Sequence, residues 1–201
     1  MSDNTKVTIK NISLLKSHLS CHAMAVASYK LSEKSYYQYR KQLSKLPTET
    51  IQQFQDLEPI HVVLKQFVDM ESNKKTTQYK FFSGWFWLLL CREKNIKEVR
   101  VILHTKDDFA YIEQASWSYL LACELKCMHR NTGLAQLSKA IELVPKDLRK
   151  ALLGEHYSWS SSKIVQKLSG ESNKVLSAQI KNISPQVAIK RSIFDELITE
   201  N

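Results

Sequence analysis

Glycine and proline are scarce, four of each in 201 residues. All-β architectures use both at their many turns, so the shortage argues against a sandwich or barrel. Long apolar runs are missing as well. The most apolar stretch, Phe81 to Cys91, lies between Lys80 and Arg92 and covers about 11 residues. A bilayer crossing takes roughly 20, so the stretch predicts a buried core helix and no membrane span. Catalytic signatures are absent: there is no Gly-rich phosphate loop, no Gly-x-Ser-x-Gly and no His-Glu-x-x-His. The expectation is a protein without enzymatic activity and without a cofactor. The start, Met-Ser-Asp-Asn-Thr-Lys, is polar and has no signal-peptide pattern. Cys21, Cys91, Cys123 and Cys127 are accordingly expected as free thiols in a reducing, cytoplasmic setting.

Acidic residues are also in deficit. Twenty Asp and Glu face 29 Lys and Arg, for a formal charge of +9. Such a balance suits nucleic acid, an anionic membrane surface or an acidic protein. Only six of the cations are Arg, and Lys-rich usage also follows from an AT-rich genome. With 43% hydrophobic and 24% charged residues the chain can bury a core.

The apolar spacing reads as helical almost throughout. Residues 1–10 are a flexible arm, with a brief alternation at Val7 and Ile9. Residues 11–201 form a single helical domain, with a sub-boundary available near 72–77. Leu14, Leu15, His18, Leu19 and His22 recur every three to four residues. Tyr36, Tyr39, Leu43 and Leu46 make the face of a helix over 33–46 that Pro47 ends. Residues 48–57 are a short polar helix or turn. Ile60, Val63, Leu64, Phe67 and Val68 fit an amphipathic helix started by Pro59. The Trp85 helix covers 78–93. Residues 96–104 admit a helix or a strand against Val7–Ile9, and their helical neighbours favour helix. Asp107 or Asp108 caps the next helix. Further helices follow to about 144, then over 146–157, 160–168 and 172–182. The last runs over 185–199, with Ser184 as cap, Pro185 in its first turn, and Ile189, Ile193, Phe194 and Leu197 buried. All four prolines then stand at helix junctions. The expected fold is all-α, an array of antiparallel helical hairpins or an irregular helical bundle.

One motif occurs twice. Trp85, Leu88, Leu89 and Cys91 share their spacing with Trp117, Leu120, Leu121 and Cys123, 32 residues on. Around the second copy, Leu137, Ala140 and Pro145 follow at the spacing of a second helix. Residues 114–147 in this respect resemble a tetratricopeptide repeat, and 81–108 a degenerate one. Gly133, Leu121 and Glu124 depart from that family's pattern. The resemblance implies a stacked helical scaffold whose concave face binds a protein or peptide, an acidic one given the charge: an adaptor, chaperone or regulatory subunit. It also implies that Trp85 and Trp117 are buried between hairpins.

Three constellations carry possible chemistry. His18, Cys21 and His22 would share one helix face within reach of a metal, although interior His and Cys are the commoner case. Cys123, Cys127 and His129 are a weaker set. Lys30, Lys34, Tyr37, Lys41 and Lys45, with Arg40 nearby, line up if one helix runs from residue 30; they suit phosphates with Tyr to stack, or an acidic segment, or simply a solvated face. Residues 160–182 have helix-turn-helix character around Gly170, with Ile164, Val165 and Leu168 before the turn and Val175 as the expected core contact. Lys174, Ser177, Gln179 and Lys181 would then face DNA. The alternative to a protein adaptor is therefore a nucleic-acid-binding regulator that uses this hairpin and the Lys stripe.

Overall fold

The computed structural model describes residues 7–15, 17–68, 75–128, 132–182 and 197–198. Its centre is a five-stranded sheet, in the order β1-β5-β3-β4-β2. The strands are β1 (Val7–Ser13), β2 (His18–Cys21), β3 (Ile60–Val68), β4 (Lys75–Ser83) and β5 (Glu98–His104). β1 runs antiparallel to β5, β5 parallel to β3, β3 antiparallel to β4, and β4 parallel to β2. The all-α expectation is thus overturned, and the fold is α/β with a mixed sheet.

The reason lies in residues covered on both sides. Val62 and Val63 are neighbours, 0% and 1% exposed, and Phe81 and Phe82 are both 0% exposed. Strands buried on two faces lose the alternation that marks a strand and read like helix. β-branched content was the overlooked signal in Ile60–Val68, whereas over 96–104 it supported the strand alternative, and Glu98–His104 does pair with Val7–Ile9 in place of the favoured helix. The expected helix from Asn11 is instead the end of β1, the strand β2 and a 3₁₀ turn at Ala23–Ala25. Val7–Lys10, read as part of a flexible arm, belong to β1. Of the suggested boundary at 72–77, residues 75–77 lie in β4 and the rest outside the described residues.

The helices are α1 (Val26–Leu31), α2 (Glu33–Leu43), α3 (Thr48–Leu57), α4 (Trp85–Glu93), α5 (Phe109–Cys127), α6 (Gly133–Leu143), α7 (Lys146–Leu153), α8 (Ser161–Ser169) and α9 (Asn173–Lys181). Pro47 and Pro145 are the N-caps of α3 and α7, while Pro59 precedes a strand. Asp108 caps α5, its Oδ1 accepting from Tyr111 N at 3.1 Å. The expected helix over 185–199 lies outside the described residues except for Leu197 and Ile198, which form a turn. Leu197 is buried, and its carbonyl accepts from Cys21 N at 2.9 Å.

The tetratricopeptide resemblance fails with the sheet. α5 and α6 do form a packed helical pair, but residues 81–108 are the end of β4, then α4, then β5, so the degenerate repeat expected there is not a helical hairpin. Trp85 and Trp117 are buried, at 0% and 3% exposure, but as core residues of an α/β domain and not as repeat anchors. α4 is apolar on every side because it is enclosed on every side: Trp85 to Cys91 are all buried. Asn95, at φ +53°, ends it and turns the chain toward β5.

One polar side chain completes the sheet from outside. Gln55 of α3 is 0% exposed, donates to Arg100 O at 2.6 Å and accepts from Arg100 N at 2.8 Å. It supplies β5 with backbone-like partners just before its pairing with β3 begins.

Candidate nucleic-acid interface

The C-terminal helices pack as a group in which α6 touches both α8 and α9. Ser160 caps α8, its hydroxyl accepting from Lys163 N, and Gly170 closes it at φ +73°. Ile164 and Val165 are buried beneath α8. From α9 the core contact is Leu176, 1% exposed, and not Val175, which is 38% exposed. Gly170 stands one residue later than the turn glycine of the usual helix-turn-helix, and the core contact is likewise one residue later than expected, as a single extra residue in the turn would give.

Gln179, expected to face outward, does not. Its Oε1 accepts from Leu134 N at 2.9 Å and so caps the first turn of α6. Leu176 and Gln179 hold α9 by one side. Lys174, Ser177 and Lys181, at i, i+3 and i+7, are left exposed on another.

The Lys stripe is nearly continuous. α1 and α2 are separated only by Ser32, whose N–H still bonds Ser28 O. Lys30, Lys41 and Lys45 are exposed, while Lys34 and Tyr37 are half-buried. Arg40 is engaged: its Nε donates to Glu93 Oε2 at 2.7 Å, and its guanidinium lies 5.9 Å from the Tyr37 ring. α2 also reaches the first turn of α6, where Gln38 Nε2 donates to Thr132 Oγ1 at 2.7 Å. The two basic stretches, separated by more than 120 residues of sequence, are thus both tied to one helix terminus through Gln38 and Gln179. No spacing rule reveals a convergence of this kind.

The metal reading of His18, Cys21 and His22 rested on a helix face, and that face does not exist. His18 and Cys21 lie on β2, where alternation sends them to opposite sides: His18 is exposed and Cys21 buried. His22 caps the 3₁₀ turn, its Nδ1 accepting from Met24 N at 3.2 Å, so Nε2–H donates to Asp107 Oδ1 at 2.9 Å. The other Asp107 oxygen pairs with Lys65. Cys123 and Cys127 are buried in α5, and His129 lies outside the described residues. Among the described residues no group of three His, Cys, Asp or Glu is placed to hold a metal.

Three imidazoles gather near the α5 N-terminus. His61 Nδ1 lies 2.9 Å from His104 Nε2, and both rings pack edge-on to Phe82. Burial, with Lys65 and Lys80 beside it, lowers the pKa of His22 to about 4; burial and His104 lower that of His61 to about 4; burial lowers that of His104. For His22 the depression outweighs the carboxylate of Asp107, because Lys65 already neutralises it and protonating Nδ1 would break the cap on Met24. Between these folded values and the unfolded value of about 6.5 the unfolded chain binds more protons, so acid favours unfolding. Glu124 opposes this, since burial raises its pKa to about 7, but three imidazoles outnumber one carboxyl. Stability is expected to be greatest near pH 7 and to fall as pH drops from about 6.5 toward 4. Denaturant midpoints across that range measure it, and His61→Gln should flatten the slope.

No family model matches the chain, and no curated protein matches it. Among solved structures it is similar to a Pnob8-like ParB-N domain, with a TM-score of 0.40 and 15% sequence identity. The similarity covers 86% of this chain and 66% of that one, so the chain spans just under two thirds of its neighbour's length. No helix among the described residues is long and apolar enough to cross a membrane.

Proposed function

We propose that the protein binds nucleic acid, acts by binding and not by catalysis, and presents α9 to the groove of duplex DNA. The observation that carries this is the way α9 is held. Leu176 and Gln179 fasten it to α6, and the face bearing Lys174, Ser177 and Lys181 stays in solvent. A helix fixed on one side with a basic, hydroxyl-bearing face on the other is suited to phosphates and base edges. Lys41 and Lys45, exposed on and just after α2, add cations on an element joined to the same α6 terminus. The protein-adaptor reading implied by the repeat resemblance depended on a concave groove between stacked hairpins, and the sheet leaves it without that scaffold.

Fluorescence anisotropy with a labelled random-sequence duplex tests the proposal. Affinity should fall steeply with salt. Lys174→Glu with Lys181→Glu should weaken it by at least about tenfold and lower the salt slope by about 2. Duplex binding indifferent to the double variant would overturn the assignment of α9, and no binding at low salt would overturn the function.

A further inference from the structure

A cleft of about 100 Å³ opens where α1, α2, α5 and α6 meet. Lys30, Lys34 and Lys139 stand on its walls with one carboxylate, Glu33, and Glu124 and Gln136 line it from within. None of the three lysines joins an ion pair among the described residues. The inner wall is unusual. Glu124 is 1% exposed. Its Oε1 accepts from the Ser35 hydroxyl, which also lies 2.9 Å from Gln136 Oε1 and has a single proton for the two. Gln136 Nε2 donates to Thr132 Oγ1 at 3.2 Å. Glu124 Oε2 is buried and has no hydrogen-bond partner among the described residues.

A buried carboxyl oxygen without a partner is costly, and three lysines on the walls of the same cleft, in no ion pair among the described residues, call for an anion. The two demands conflict for most anions. Sulfate or a phosphodiester brings negative charge and no proton, so it is repelled by the ionised carboxyl and can bond Oε2 only when Glu124 itself is protonated. A phosphomonoester differs because its second ionisation falls near neutrality. It can keep one proton and donate it to Oε2 as a charge-assisted O–H···O bond, while its other oxygens accept from the lysines. Burial places the Glu124 carboxyl in the same range, at about 7, so one proton is readily shared. The charged groups that line the cleft with this carboxyl are Lys30 on α1, Glu33 and Lys34 on α2 and Lys139 on α6, and Cys123 lies near it on its own helix.

We propose that this cleft is a terminal-phosphate site, in which Lys30, Lys34 and Lys139 hold a phosphomonoester and Glu124 Oε2 shares its proton. The site is separate from the face of α9 and does not depend on duplex binding. Such a group occurs on free phosphate, on a nucleoside 5′-monophosphate and on the 5′-phosphorylated end of a strand.

Titration calorimetry of the full chain with inorganic phosphate, a nucleoside 5′-monophosphate and a 5′-phosphorylated single-stranded oligonucleotide, against sulfate and the unphosphorylated oligonucleotide, tests it. Phosphate should bind more tightly than sulfate at pH 7, because it forms the shared-proton bond with either state of Glu124 whereas sulfate bonds only the protonated carboxyl. The tightest of the three phosphate probes identifies the source. Lys139→Glu, an exposed change, should abolish binding. Glu124→Gln should bring phosphate and sulfate to near equality, because its amide donates to either. Lys174→Glu with Lys181→Glu should leave phosphate binding unchanged, so failure of the duplex proposal and failure of this one are separable. Sulfate bound as well as phosphate by the native chain, or phosphate binding untouched by Lys139→Glu, would overturn the site. The second result decides the matter even where Glu124→Gln does not fold.

Discussion

Trp85→Ala is expected to cost about 3–5 kcal/mol of folding stability. The indole is 0% exposed and fills the join between the first helices and the sheet. It meets Tyr119 edge-on at 4.5 Å and Tyr29 at 5.7 Å. Each such aromatic pair adds about 0.5–1.5 kcal/mol beyond area burial. Its Nε1 donates to Ser32 Oγ at 2.8 Å, and that hydroxyl donates to Tyr29 O at 2.6 Å. Alanine would leave a cavity lined by Tyr29, Tyr119 and Ser32 and would remove the only donor described for Ser32 Oγ. Phenylalanine keeps most of the volume and loses the N–H, so Trp85→Phe should cost less. Urea unfolding of the two variants measures both. A loss under about 1 kcal/mol for alanine would mean that the site collapses freely, contrary to the close packing of its neighbours.

Gly84→Ala is expected to cost about 2–5 kcal/mol, combining left-handed backbone strain with overpacking. Gly84 stands at φ +79°, between the end of β4 and the start of α4. A Cβ there would lie 2.7 Å from Ile60 Cα and 3.1 Å from Pro59 O. Both are backbone atoms, so no side chain can rotate away. Ile60 opens β3 and is itself 0% exposed, which ties the obstacle to the centre of the sheet. The same unfolding measurement applies. The far-UV spectrum should stay native in dilute buffer if the loss is thermodynamic and not a change of fold.

These two residues also show where the sequence was informative. Trp85 announces a buried helix through the run that follows it, and α4 is that helix. The start of the helix is displaced because Lys75–Ser83 is a strand, and Gly84 is the stop between the two. The Asp108 cap, the α5–α6 pair and the α8–α9 pair follow from local spacing, which is why they were legible. The sheet was not. Ile60, Val63, Leu64, Phe67 and Val68 satisfy a helical period by chance of composition, and His18–Cys21 has little strand signature beyond its length. Of the candidate interface, exposed lysines could be read directly. The inward turn of Gln179, the meeting of Gln38 with Thr132 and the burial of Glu124 against Ser35 depend on contacts 45 to 94 residues apart in sequence. Such pairings are set by tertiary packing, which no local pattern encodes.

The strand order has a kinetic meaning. Both outer strands, β1 and β2, come from the first 21 residues, while the three inner strands come from residues 60–104. During synthesis the N-terminal segment therefore waits. β2 has no partner until β4 is made, and β1 has none until β5 has emerged. Pairings of such long sequence separation slow folding relative to a helical bundle of similar size. They also make the N-terminal segment the last guard of the sheet: without β1, the buried residues Val99 and Val101 would sit on an open edge, ready to pair with another chain.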